Sequence, residues 1–142
     1  MAANITLITL GVADVAQATR FYQRLGFVKS ESASQESVSF FRAGGVVLAL
    51  WSREAQREDA QAEALWDGNG GIVLARNVAS EGEVDAIMAK AQAAGASTLK
   101  PATKTFWGGY NAYFADPDGH VWEVAFNPHW ALDEAGLIKL PD

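Results

Sequence analysis

Residues 113–126 read YFADPDGHVWEVAF, and residues 40–51 read FFRAGGVVLALW. Each is an apolar run, a tight turn and a second apolar run, the pattern of a β-hairpin. Asp116-Pro117-Asp118-Gly119 and Gly44-Gly45 supply the turn chemistry, one by side-chain bonding to the backbone and one by conformational freedom. Laid over one another on Gly45 and Gly119, the two stretches match, the second turn being two residues longer. One substitution stands out: where the first hairpin has Ala49, the second has Glu123. A carboxylate in an apolar strand is costly unless it has a partner.

The match extends upstream. Asn4 to Leu10 reads as a strand. Asp14 caps a helix whose apolar positions Val15, Ala18, Phe21, Tyr22 and Leu25 are spaced near 3.6 residues, and Gly26 ends it. Phe27 to Glu31, Ser37 to Arg42 and Val46 to Trp51 follow as strands. Arg53 to Asp67 is rich in Arg, Glu, Gln and Ala, with Leu65 and Trp66 at its end, and reads as a linker with a short helix. Then the pattern restarts. Gly71 to Asn77 reads as a strand. Ser80 and Glu83 form a capping box ahead of Val84, Ile87, Met88 and Ala91, which share one helix face, and Gly95 ends that helix. Strands follow at Ser97 to Leu99, Tyr110 to Ala115 and Val121 to Phe126. The fold class is therefore α+β, with two tandem βαβββ modules at about 4–52 and 70–127, a linker at about 53–69 and a tail at 128–142, in one domain. One helix covers one face of each small sheet, so two modules side by side give a curved mixed sheet around a cleft, helices outside.

Composition narrows the function. There are no cysteines, which excludes disulfides, thiolate metal sites and Cys nucleophiles and fits a reducing cytoplasm. A net charge of -6 argues against nucleic acid and anionic membranes as partners. No basic leader and no membrane-length apolar run is present, so a cytoplasmic protein is expected.

The segments VADVAQATRFYQRLGF (12–27), VDAIMAKAQAAGA (84–96) and FADPDGHVWEVAFNP (114–128) resemble the vicinal oxygen chelate superfamily: glyoxalase I, bleomycin-resistance proteins, extradiol dioxygenases and fosfomycin-resistance enzymes. The likeness runs from Ile5 to Pro128 and implies the glyoxalase/bleomycin-resistance fold, commonly paired as a homodimer. It also implies four positions at which the enzymes place His or Glu ligands for a divalent metal. In this chain they are Leu7, Ala49, Val73 and Glu123. Three are aliphatic and have no lone pair to give. Neighbouring residues do not rescue the set, since Ile8, Leu48, Leu50, Ile72 and Leu74 are equally inert. His120 belongs to the turn and His129 to the tail. The expectation is that no cofactor is bound, a divalent metal being the second alternative.

That leaves a greasy cleft as the candidate site. Leu7, Ala49 and Val73 form its apolar wall, and Trp51 shares strand parity with Ala49. Trp107, Tyr110 and Tyr113 gather around Gly108-Gly109 as a rim. Glu123 is a general base, an anchor for a cation, or a structural carboxylate bonded to a nearby ring or backbone N–H. Asp116 and Asp118 are turn-formers. The leading expectation is metal-independent binding or sequestration of a small organic molecule, cationic or aromatic, in the manner of the bleomycin-resistance proteins. The alternatives are a lyase, isomerase or dioxygenase using Glu123 as base or metal ligand, and a subunit whose cleft is occluded.

Overall fold

The computed structural model describes residues 2–62 and 70–141. Leu65 and Trp66 lie outside the described residues. The chain divides into two compact units, Met1–Gly70 and Gly71–Asp142.

The first unit runs β1 (Leu7–Val12), α1 (Val15–Arg24), β2 (Val28–Lys29), β3 (Val38–Ala43), β4 (Val46–Ser52) and α2 (Arg53–Ala60). Its four-stranded sheet has the order β1-β4-β3-β2. β1 and β4 are parallel and the other pairs antiparallel. Asp14 accepts from the Gln17 amide at 3.0 Å, which caps α1 as its sequence position predicts. Ala18, Phe21 and Tyr22 are buried beneath α1. Tyr22 packs against Phe27 and Phe41, with ring centroids 5.8 and 6.3 Å away. Thr19 donates its one hydroxyl hydrogen to the Val15 carbonyl at 2.6 Å. Its 2.7 Å contact with Ser39 must therefore be donated by Ser39. Ser39 and Phe41 thus mark the helix-covered face of β3. Pleating puts Val38, Phe40 and Arg42 on the other face.

The second unit repeats the plan: β5 (Leu74–Val78), α3 (Glu81–Ala94), β6 (Ser97–Lys104), β7 (Tyr110–Ala115) and β8 (Val121–Phe126), in the order β5-β8-β7-β6. The expected capping box forms. The Ser80 hydroxyl accepts from the Glu83 amide at 3.2 Å, and the Glu83 carboxylate accepts from the Ala79 amide at 2.8 Å. Gly95 closes α3 at φ 112°. Phe114 and Trp122 stack with planes 4° apart.

Several boundaries differ from the sequence reading. β1 starts at Leu7, not Asn4: the Val47 amide still bonds the Thr6 carbonyl at 3.0 Å, but β4 begins at Val46 and leaves the residues before Thr6 nothing to pair with. β2 shrinks to two residues: the Phe27 amide closes the end of α1 on the Tyr22 carbonyl, and beyond Ser30 the chain turns, the Ser34 amide reaching back to the Ser30 carbonyl. β5 starts at Leu74, not Gly71, since Gly70 and Gly71 hold φ of 69° and 74°, outside the extended region. β6 is longer than expected, running through Pro101 to Lys104 with two register shifts against β7. Proline is tolerated there because β6 is an edge strand.

Candidate functional site

Two surfaces carry the residues singled out by the sequence, one in each unit. In the second unit, β7 and β8 pair so that Tyr113 lies opposite Glu123 and Asn111 opposite Ala125. Tyr110 bonds Asp85 of α3 at 2.8 Å, which identifies the helix-covered face. Asn111, Tyr113 and Glu123 share the opposite face by strand alternation. There the carboxylate finds its partners. Asn111 Nδ2 donates to Glu123 Oε2 at 2.8 Å, and Lys100 Nζ donates to Asn111 Oδ1 at 2.6 Å. An amide facing a cation on one side and an anion on the other has only one favourable orientation, since a flip would set donor against donor and acceptor against acceptor. Asn111 is buried, so it relays between the two charges out of water. The Lys100 ammonium also stands 5.9 Å from the Tyr113 ring centroid, at the outer range of a cation–π contact.

Tyr113 completes the cluster. Burial, the adjacent Glu123 charge and a hydrogen bond to that carboxylate hold its hydroxyl pKa above the ordinary 10.0. Each cause favours the neutral phenol, the second because a phenolate would sit beside a carboxylate. Glu123 thus accepts from Asn111 and has the Tyr113 phenol beside it.

The structure parts the expected aromatic rim. Tyr113 meets Glu123, whereas Tyr110 turns to α3. Trp107 packs over Gly109, where a Cβ would collide with the indole and approach the Phe126 carbonyl oxygen to 2.6 Å. A Cβ on Gly108 would lie 3.3 Å from His129 Nε2, so the tail histidine sits over the glycine loop. Asp116 is a turn-former: its carboxylate accepts from the Asp118 and His120 amides at 2.9 and 2.8 Å. Val73 precedes β5 and is 45% exposed.

In the first unit the face away from α1 carries the rows Leu7–Val47–Arg42 and Thr9–Ala49–Phe40, paired in register across β1, β4 and β3. Gly11, Trp51 and Val38 form the next row. Ala49 is buried, while Leu7 is 44% exposed. A cavity of about 390 Å³ opens here, lined by Leu7, Phe40, Phe41, Arg42 and Val47 of the sheet and by Ser30 and Ala33 of the β2–β3 connection. That connection is pinned to Phe40 by both its backbone groups: the Ser30 amide donates to the Phe40 carbonyl at 2.8 Å, and the Phe40 amide donates to Ser34 Oγ at 3.0 Å. Sequence reasoning placed Leu7 at a site but missed Arg42, Phe40 and Ser30. It also missed Lys100 and Asn111. Alternation along Tyr110–Ala115 was the available signal for Asn111, since it puts that residue on the Tyr113 face.

The repeat and topology have a match among known families. The model of the Glyoxalase/Bleomycin resistance protein/Dioxygenase superfamily aligns with residues 4–124. The chain belongs to this superfamily. A glyoxalase-related enzyme from Fulvimarina pelagi is 35% identical, with a TM-score of 0.90 over 99% of this chain and 100% of that one. A glyoxalase/bleomycin resistance protein/dioxygenase family enzyme from Burkholderia phytofirmans PsJN is 25% identical, with a TM-score of 0.78 over 87% and 98% of the two chains. A lactoylglutathione lyase from Agrobacterium tumefaciens, 21% identical with a TM-score of 0.65 over 89% and 95%, shares the fold. No curated protein matches the sequence.

The superfamily's metal can be tested against the residues present. Of the four positions that the resemblance implies, only Glu123 carries a donor, and its Oε2 already accepts from Asn111. Among the described residues no group of three or more His, Cys, Asp or Glu side chains comes together. The Lys100 ammonium, one amide away, adds positive charge where a dication would sit. This donor set does not fit a divalent ion. Among the described residues no helix is long and apolar enough to cross a membrane.

Proposed function

We propose that this superfamily member binds a small organic molecule without a divalent metal, and that sequestration or carriage rather than catalysis is its task. The observation that carries this reading is the state of Glu123, whose carboxylate is tied into the Lys100–Asn111–Glu123–Tyr113 network instead of facing other ligating groups. The other three ligand positions are aliphatic. One of them, Leu7, helps line the cavity of about 390 Å³ in the first unit. That volume falls in the range of about 300–1,000 Å³ usual for small-molecule sites, and its wall is mostly hydrocarbon and aromatic.

The test is a binding screen on tag-free protein, calorimetric and by thermal shift, run after chelation and again after dialysis with Ni²⁺, Zn²⁺, Fe²⁺ or Mn²⁺. Saturable binding by chelated protein, unchanged after metal loading and with near-zero metal by elemental mass spectrometry, is the expected result. Stoichiometric metal lost in Glu123→Ala would overturn the reading.

Catalysis with Glu123 as general base is the second reading. It is favoured by one fact: a carboxylate has about four lone-pair sites, and the two neighbours named leave some open. Glu123→Gln should then abolish turnover and spare binding. Any turnover that survives this substitution unchanged excludes that mechanism.

A further inference from the structure

The mostly apolar cavity of the first unit has a basic residue among its lining, which the overall charge of the chain does not suggest. Arg42 lies on its rim, exposed, and bonds to no acidic side chain among the described residues. The acid closest in sequence to the cavity wall, Glu31, is taken by Lys29 at 3.5 Å. The Ser30 hydroxyl oxygen accepts from the Ala33 amide at 3.3 Å, which leaves its own hydrogen free to donate. Leu7, Phe40 and Val47 supply apolar surface beside these two donors. The cavity lining thus combines Arg42 and a hydrocarbon wall on the sheet with the Ser30 hydroxyl on the β2–β3 connection, which hydrogen bonds tie to Phe40.

We propose that this cavity is a binding site for an amphipathic carboxylate, its ring or chain against Leu7, Phe40 and Val47 and its carboxylate on the Arg42 guanidinium with help from Ser30. The proposal rests on the metal-free binding reading and names the ligand class. A carboxylate suits Arg42 because the planar guanidinium fork donates two parallel hydrogen bonds to two oxygens. It suits the wall because an apolar body gains from leaving water. The net charge of -6 would favour a cation at long range, but long-range fields are screened over about 8 Å at physiological salt, while a contact with Arg42 is not. The local group decides.

Three probes share one ring system and differ only in the head: 2-naphthoate, 2-naphthamide and 2-naphthylmethylammonium. Their affinities for the full chain are measured by calorimetry, with wild type, Arg42→Gln and Arg42→Lys. Arg42 is an exposed strand residue, and unchanged circular dichroism and Tm certify each variant. The expected result is that naphthoate binds wild type about tenfold or more tighter than the amide, in line with a charge-assisted hydrogen bond. Arg42→Gln should erase that preference without changing the amide, and Arg42→Lys should restore part of it. Equal binding of all three probes, indifferent to Arg42, overturns the carboxylate assignment and leaves metal-free binding standing. Preference for the ammonium probe, or no binding of any naphthyl probe by folded protein, also overturns it. Only the broader screen, run with and without metal, bears on the binding reading itself.

Discussion

Asn111→Ala removes the one neutral member of the Lys100–Asn111–Glu123 relay. Two hydrogen bonds disappear, one from Lys100 Nζ at 2.6 Å and one to Glu123 Oε2 at 2.8 Å. Each joins the amide to an ion, a class worth about 1.5–3 kcal/mol apiece. Lys100 and Glu123 are half-buried, so water recovers part of what each loses, and the expected destabilisation is about 3 kcal/mol. For a chain of this size that lowers Tm by about 6–12 °C. Urea titration followed by circular dichroism reads the loss as a shift in midpoint at constant slope. A double-mutant cycle with Lys100→Met then isolates the pair. Its coupling should exceed about 0.5 kcal/mol, because the two residues share one network. A loss below about 0.5 kcal/mol for Asn111→Ala, or additive behaviour in the cycle, would refute the network as a source of order on this face.

Tyr113 makes a prediction about alkaline pH. Its folded pKa lies above the unfolded 10.0, so the stability it contributes is complete below pH 10.0 and is lost as pH rises from there through the folded value. Ultraviolet tyrosinate absorbance, compared between wild type and Tyr113→Phe, should show a late-titrating phenol. Glu123→Gln should remove part of the delay but not all, because burial, the largest cause, stays. A phenol that titrates normally in wild type would contradict the contact. Gly109→Ala should cost about 1–3 kcal/mol and shift tryptophan emission, since the new methyl runs into the Trp107 ring and the immovable Phe126 carbonyl. A variant as stable as wild type would mean that the Trp107 ring does not pack there.

The parts of the fold legible in the sequence were those encoded by neighbours. Asp14 and the Ser80–Glu83 pair cap helices through residues three or four apart, so spacing alone was enough. The Asp116 turn is equally local. Strand starts were less legible because they depend on where a partner strand begins, as at Leu7. Glu123 could be flagged as a carboxylate in need of partners. Its partners could not be named, because β6 meets β7 with register shifts around Pro101, and no spacing rule takes Lys100 to Asn111 across them. Tyr110 and Tyr113 could have been separated, since residues three apart on a strand face opposite ways. The Arg42 cavity was hidden for a different reason: Leu7, Ser30 and Arg42 come from three segments joined only by sheet pairing.

The margins of the two sheets affect how the chain behaves at high concentration. An unprotected edge strand is a template on which another chain can add. Here each margin carries an obstacle. β2 is two residues long, β6 contains Pro101 and broken register, the Gln56 side chain donates to the Thr9 carbonyl of β1 at 3.3 Å, and β5 bears the exposed charge of Arg76. A chain that is 49% hydrophobic needs such guards against fibrous growth. Lengthening either sheet by a fifth strand would first require dismantling one of them.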